Sequence, residues 1–221
     1  MIIAIDGPAG AGKSTIARRV AAAVGAVYID TGAMYRAVAL LALRSGVDLA
    51  DAERLEPVAR AADIRFTQGA AGLLLDGEDV TAAIRKPEVS PAASKVSAIP
   101  AVRRILVAKQ REMGAAGSVV MEGRDIGTVV FPNADVKVFL DADPDVRAAR
   151  RVRELEEKGE RPAAAEIARE IRERDHRDST RADSPLVAAP DAVHLDTTRL
   201  TLDEVEAAIL EIVKQRSSVL R

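Results

Sequence analysis

Ile2-Ile3-Ala4-Ile5-Asp6-Gly7-Pro8-Ala9-Gly10-Ala11-Gly12-Lys13-Ser14-Thr15 stands near the start of this 221-residue chain, and its reading decides the fold. A short apolar run leads straight into a G-x-x-x-x-G-K-[ST] loop, and the residues beyond it are helix formers. Gly7, Gly10 and Gly12 permit backbone angles that side chains would forbid, so successive amide N–H groups can turn inward toward an anion. The helix that follows adds its own unpaired N–H groups and the positive end of its dipole. Gly7, Pro8, Ala9, Gly10, Ala11, Gly12, Lys13, Ser14 and Thr15 therefore read as a phosphate cradle between a buried strand and a helix. Lys13 is placed for the outer phosphates of a nucleoside triphosphate and Ser14 for a divalent cation.

Outward from this loop, strands and helices alternate. Short apolar segments at 2–5, 26–29, 118–121, 136–140 and 192–195 read as buried strands, and intervening helices imply a parallel sheet. Helices are expected over 13–24, stopping at Gly25, and over 33–44, stopping near Gly46. Thr201-Leu202-Asp203-Glu204 reads as a capping box that opens a last helix, with Val205, Ile209, Ile212 and Val213 on its buried face. Residues 63–100 interrupt the alternation. Ile64-Arg65-Phe66-Thr67, a loop at 68–72, Leu73-Leu74-Leu75 and the turn pair Asp76-Gly77 suggest a small antiparallel hairpin. Such an insert is more than the core requires, which makes it a candidate for substrate discrimination.

Composition excludes several classes. A formal net charge of −2 argues against a generally basic nucleic-acid binder, and 2% aromatic residues without tryptophan argue against a surface that stacks single-stranded bases. The absence of cysteine removes disulfides, thiolate metal sites and a cysteine nucleophile. Neither a membrane span nor a secretory signal is visible, so the cytoplasm is the expected location.

Phosphate chemistry demands more cations than the loop supplies. A helix N-terminus provides about half a positive charge, whereas a nucleoside triphosphate carries about four negative ones. At ~4 Å a unit pair is worth about 4 kcal/mol at an effective dielectric of 20. Arginines are available. Arg151, Arg169 and Arg172 read as a solvated surface laced with i,i+4 pairs. Arg174, Arg177 and Arg181 precede Ser184-Pro185 and are expected to leave a helix and enter a loop that closes over phosphates, with Gly159 and Pro162 bracketing its start. Asp30-Thr31-Gly32-Ala33-Met34-Tyr35-Arg36 and Glu122-Gly123-Arg124-Asp125-Ile126-Gly127-Thr128 each follow a strand, at the sheet edge where open α/β proteins bind ligands.

The sequence resembles the bacterial cytidylate kinase family, in the stretches IDGPAGAGKST at 5–15, DTGAMYRA at 30–37, SPAASKVSAIPAVRR at 90–104, EGRDIGTVVFPNA at 122–134 and RDHRDSTRADSPL at 174–186. Glu122 stands where several members of that family carry Asp. The resemblance implies an α/β fold of the P-loop NTPase type. It would have a parallel five-stranded sheet of order 2-3-1-4-5 flanked by helices, a small antiparallel insert and a mobile lid. On this reading a single domain comprises a core (1–62, 101–157, 182–221), a monophosphate-binding insert (63–100) and a lid (158–181). The resemblance further implies transfer of a phosphoryl group from ATP, with Mg²⁺, to CMP and dCMP. Arg150 would lie on the ATP side, beside residues 7–15. Ser94, Arg103 and Asp125 would read cytosine. Arg36, Arg124 and Arg181 would hold the acceptor phosphate with Thr31 beside the acceptor, and Arg174 with Asp178 would lie near the sugar. Lys13, Arg124, Arg174 and Arg181 would neutralise the transferring group, with Mg²⁺ on Ser14. The partners would be these small molecules, without nucleic acid or membrane, on a monomer. Rival readings are a kinase for UMP, AMP or a small hydroxyl metabolite and, from another class, a nucleotide-dependent regulatory switch. The Ser94, Arg103 and Asp125 set argues against the first. The absence of an N-K-x-D motif and the arginine supply argue against the second.

Overall fold

The computed structural model describes residues 1–67, 72–157 and 159–219. Residues 68–71 of the expected hairpin loop and Lys158, the first residue of the expected lid, lie outside that set.

β1 (Ile2–Asp6) is the middle strand of a five-stranded parallel sheet. It pairs on one side with β6 (Val119–Gly123) and on the other with β7 (Val136–Asp141). β2 (Val27–Asp30) lies outside β6, and β8 (Val193–Asp196) outside β7. The sheet order β2-β6-β1-β7-β8 is the 2-3-1-4-5 arrangement expected. Every core strand found lies within one or two residues of its expected place.

Alternation along β1 sorts its side chains onto two faces. Ile3 and Ile5 pack with Ile16, Ala17 and Val20 of α1 (Lys13–Val24) and with Val205, Ile209 and Val213 of the last helix, α8 (Leu202–Val219). Ala4 packs on the opposite face with Val107 of α5 (Pro100–Ala115) and with Ile126 and Val130. The expected capping box is formed at the start of α8: Thr201 N–H donates to Glu204 Oε2 at 2.8 Å, and Glu204 N–H to Thr201 Oγ1 at 3.3 Å.

α2 (Thr31–Arg44) starts two residues earlier than the apolar pattern suggests, because Asp30 caps it by accepting the Ala33 N–H at 2.9 Å. It is apolar on nearly every side, since the insert covers what the sheet leaves open. That insert holds three short strands rather than two: β3 (Ile64–Phe66), β4 (Leu73–Leu75) and β5 (Glu78–Asp79), all antiparallel. The tight turn Asp76-Gly77, with φ of 51° and 85°, joins β4 to β5. After a 3₁₀ turn at Ala83–Arg85, α4 (Val89–Val96) places Pro91 in its first turn, where the missing N–H is harmless. α3 (Ala52–Ala61) packs beside α2 through Leu55 and Ala59. No helix among the described residues is long and apolar enough to cross a membrane.

On the far side of the sheet, α6 (Pro144–Glu157) packs against α7 (Ala164–Thr180), with Gly159 at φ 82° and Pro162 in the break between them. Arg174 and Arg177, expected in a loop, are helical; only Arg181 lies past the last turn. The i,i+4 spacing of Arg174 and Asp178 lets the pair lie along one face, so the helix continues.

Asp6 ties the sheet to the segment that follows β6. Its buried carboxylate accepts the N–H groups of Ile126 (2.8 Å) and Gly127 (2.7 Å), the first residues of a single π-type turn over Ile126–Val130. Burial outweighs those bonds and pushes its pKa up to about 6 from an ordinary 3.8. A folded pKa raised above the unfolded one contributes stability that is fully present below 3.8 and is lost as the pH rises through about 6. We expect the unfolding free energy of the wild type, relative to Asp6→Asn, to fall by up to about 3 kcal/mol between pH 4 and 7. Denaturant titrations across that range check it, and a flat difference would refute it.

Candidate active site

The phosphate loop fills the gap between β1 and α1. A Cβ on Gly7 would lie 2.0 Å from the Leu140 carbonyl oxygen, so the loop can pass the end of β7 only as glycine. Gly10 and Gly12, at φ 77° and 85°, adopt the left-handed angles that the cradle requires. Lys13 is buried, and its Nζ donates across the loop to the Pro8 carbonyl at 2.6 Å. Burial and then repulsion from Arg124 drive its pKa well below the ordinary lysine range, against the pull of Glu122. Ser14 is exposed at the head of α1, and its hydroxyl reaches the Glu122 carboxylate. Glu122 closes β6, where Tyr28 Oη donates to its Oε1 at 2.5 Å. Burial, reinforced by neighbouring Asp30, raises its pKa.

Three further elements aim side chains at the same cleft. From the start of α2, Arg36 Nη2 donates to Asp30 Oδ2 at 2.8 Å, and Thr31 Oγ1 donates to the Glu122 carbonyl at 2.6 Å. From the turn after β6, Arg124 Nε donates to Asp178 Oδ2 at 2.9 Å. Asp125 forms a buried ion pair with Arg103 and lies 3.9 Å from Arg181 Nη2. From α7, Arg174 Nε stands 4.0 Å from Asp178 Oδ2, and Arg177 Nε donates to Ser94 Oγ of α4 at 3.3 Å.

These cations crowd one another. Burial, then Arg124, lower the pKa of Arg174 to about 10, with Arg36 and Arg177 adding to the effect. Burial works to raise the Asp178 pKa, yet Arg124 and Arg174 more than offset it and hold that carboxyl below its usual range. Arg36 Nε, Arg103 Nε, Arg174 Nε and Arg181 Nη2 are buried without a hydrogen-bond partner. Buried donors are normally satisfied. A set of guanidinium groups that repel one another and keep donors free is a site for a multiply charged anion.

The structure thus brings together Lys13, Thr31, Arg36, Arg124, Asp125, Arg174, Asp178 and Arg181, with Ser94 and Arg103 joined through Arg177 and Asp125. Arg150 stands apart, its guanidinium donating to Thr197 Oγ1 (3.0 Å) and to the Thr197 carbonyl (2.6 Å). The arginine that touches the phosphate loop is Arg147, which sequence reasoning left in an undifferentiated cluster. Its Nη1 donates to the Ala9 carbonyl at 3.0 Å and lies 2.6 Å from Asp175 Oδ2, tying α7 to the loop. Nothing in the Arg147, Arg150, Arg151, Arg153 run distinguishes it; only packing does. Asp6 and Tyr28 were also missed, as polar residues within or beside apolar strands. Of the surface arginines expected, Arg169 and Arg172 are largely exposed and Arg151 half-buried; only Arg169 with Glu173 makes the i,i+4 pair expected, while Arg151 pairs with Glu154, Arg169 also with Glu166, and Arg172 with Asp145 of α6.

The cytidylate kinase family model matches residues 3–215. The chain belongs to that family. A cytidylate kinase of Solibacter usitatus is 62% identical over 218 residues, covering 98% of this chain and 93% of its own. One from Lactiplantibacillus plantarum is 50% identical, covering 98% and 96%. A gluconokinase from Sinorhizobium meliloti 1021 shares the fold alone, with a TM-score of 0.51 at 16% identity over 99% of this chain and 94% of its own. The family's members are nucleoside monophosphate kinases, transferases of the P-loop fold, and the cation cluster belongs to such an enzyme.

A cleft with unpartnered guanidinium donors should respond to an anion. Pyrophosphate at about 100 times its dissociation constant should stabilise the protein by about 2.7 kcal/mol, read as a rise in Tm that sodium chloride of equal ionic strength does not reproduce. Arg174→Met, which removes a crowded charge, should leave the ligand-free protein at least as stable as the wild type and reduce that rise. Loss of stability with an unchanged pyrophosphate response would contradict the assignment.

Proposed function

We propose that this enzyme transfers the γ-phosphoryl group of ATP to CMP and dCMP, acting as a cytoplasmic monomer. The observation that carries the reading is the convergence of Lys13, Arg36, Arg124, Arg174 and Arg181, with unsatisfied donors among them, beside the buried side chains of Ser94, Arg103 and Asp125. The residues 7–15 hold the donor. Arg36, Arg124 and Arg181 bind the acceptor phosphate beside Thr31, and Arg174 with Asp178 adjoins the sugar. Arg150, which donates to Thr197, is assigned to the donor side. Residues 63–100 act as the acceptor-binding part and 158–181 as a lid over a core made of the remainder.

An acceptor phosphate is already anionic at neutral pH, so no general base is required. Arginine donors orient the acceptor oxygen in line with the donor phosphate, and Lys13 with Arg124, Arg174 and Arg181 spreads the charge of the group in flight. The donor set fits Mg²⁺: Ser14 offers an exposed hydroxyl beside the Glu122 carboxylate. Among the described residues no group of three or more His, Cys, Asp and Glu side chains could hold a metal ion. When bound, Mg²⁺ supplies charge neutralisation between the outer phosphates.

Selectivity rests on burial. Arg103 is 2% exposed and Asp125 and Ser94 each 5%, so an acceptor that fails to match their free hydrogen-bonding capacity leaves buried polar atoms unsatisfied. Such mismatches can discriminate by up to ~10⁴–10⁵. With ATP and Mg²⁺, a panel of CMP, dCMP, UMP and AMP should show CMP and dCMP preferred; a wide preference for UMP or AMP would overturn the cytosine assignment. Lys13→Ala should lower kcat at least 100-fold without unfolding the protein. Asp125→Ala should raise KM for CMP more than KM for ATP, and a defect confined to ATP would contradict its place.

A further inference from the structure

Arg103 is almost wholly buried and yet loosely anchored. It pairs with Asp125 through Nη2, its Nη1 donates to the Ser97 carbonyl at a long 3.3 Å, and its Nε has no partner. Two contacts on one edge leave the tilt of a guanidinium plane undetermined. What meets its face is the ring of Tyr35 on α2, with Arg103 Cζ 5.6 Å from the ring centroid. Arginine stacked on an aromatic face keeps its in-plane donors available for other partners, so the ring fixes orientation without using a hydrogen bond.

The other end of Tyr35 is unusual. Its hydroxyl is buried and has no hydrogen-bond partner, and nearby Gln110, itself 1% exposed, has its Nε2 unpartnered as well. Tyr35 belongs to an apolar cluster with Met34 and Val38 on α2 and Leu106 on α5. A phenylalanine and a leucine would fill these positions without leaving polar groups unsatisfied. Gln110 follows Arg103 by two helical turns on α5, which puts the two on the same face of that helix with the Tyr35 ring across from it.

We infer that Tyr35 and Gln110 are positioning residues for acceptor specificity: Gln110 packs beside the hydroxyl end of Tyr35, and the Tyr35 ring holds the Arg103 guanidinium in the plane from which it reads the acceptor's base. Neither needs to touch the acceptor. The inference rests on the reading that Ser94, Arg103 and Asp125 receive that base.

The test compares Tyr35→Leu, Tyr35→Phe, Gln110→Leu and the Tyr35→Phe/Gln110→Leu pair with the wild type. It measures KM for CMP and for ATP, kcat, CMP binding by calorimetry and Tm. Tyr35→Leu should raise KM for CMP about tenfold while KM for ATP stays within about twofold. Tyr35→Phe and Gln110→Leu should each raise KM for CMP about threefold, and the double variant no further, because both cut one link. Should Tyr35→Leu fail to fold, the Tyr35→Phe and Gln110→Leu comparison decides. An unchanged KM for CMP in folded variants, or equal rises for both substrates, overturns the inference. The wild-type acceptor panel separates the two failures. If the wild type prefers another acceptor, the cytosine reading fails, and the positioning role is judged on KM for that acceptor. If the wild type uses CMP and the variants leave its KM alone, only the positioning role fails.

Discussion

Lys13, Arg36, Arg124, Arg174 and Arg181 are drawn toward one cleft although like charges about 5 Å apart repel by roughly 3 kcal/mol at an effective dielectric of 20. The rest of the structure is arranged around that repulsion. Asp30, Asp125, Asp178 and Glu122 stand behind the cations and offset part of their charge. The offset is incomplete: guanidinium nitrogens of Arg36, Arg103, Arg174 and Arg181 are buried without a partner, and repulsion from Arg124 adds to burial in lowering the pKa of Arg174. A protein that satisfied every donor internally would be more stable and would have nothing left with which to bind phosphate.

Holding such a cluster requires rigid supports, and the sheet supplies them at its carboxyl edge. Asp6, Asp30 and Glu122 end three neighbouring strands, and each does two things at once. Asp6 fixes the turn that carries Arg124 and Asp125 into place. Asp30 caps α2 while pairing with Arg36. Glu122 receives Tyr28 and touches Ser14, joining the edge of the sheet to the phosphate loop. α7 is attached by contrast through ion pairs: Asp175 to Arg147, which also grips Ala9, and Asp178 to Arg124. Links of that kind exchange readily with phosphate oxygens, whereas the capping and sheet bonds do not.

Much of this was legible in the chain itself. The phosphate loop carries its own geometry in three glycines, the strands declare themselves as short apolar runs, and the capping box at Thr201–Glu204 was formed as read. Arg36 and Arg124 were legible as candidates because they sit in local motifs beside glycines and strand ends. Arg147 was not, because four arginines within seven residues look alike until one of them packs under the loop. Nor was the helical state of Arg174 and Arg177, since charge spacing alone does not say whether a helix stops. The third strand of the insert was missed because Glu78-Asp79 has neither length nor apolar pattern, and pairs only because Asp76-Gly77 folds it back.

By itself, then, the amino-acid order determined a parallel α/β fold with a phosphate loop, and it marked most of the residues now found around the cleft. Local patterns suffice for that, because strand burial, glycine angles and helix caps act over a few residues. Tertiary structure alone decided which charges meet: that Asp6 reaches 120 residues along the chain to Ile126, that Asp178 rather than solvent faces Arg124, and that Tyr35 lies under Arg103. Those pairings depend on distances and on burial, which set the strength of a charge interaction and exist only once the chain has folded.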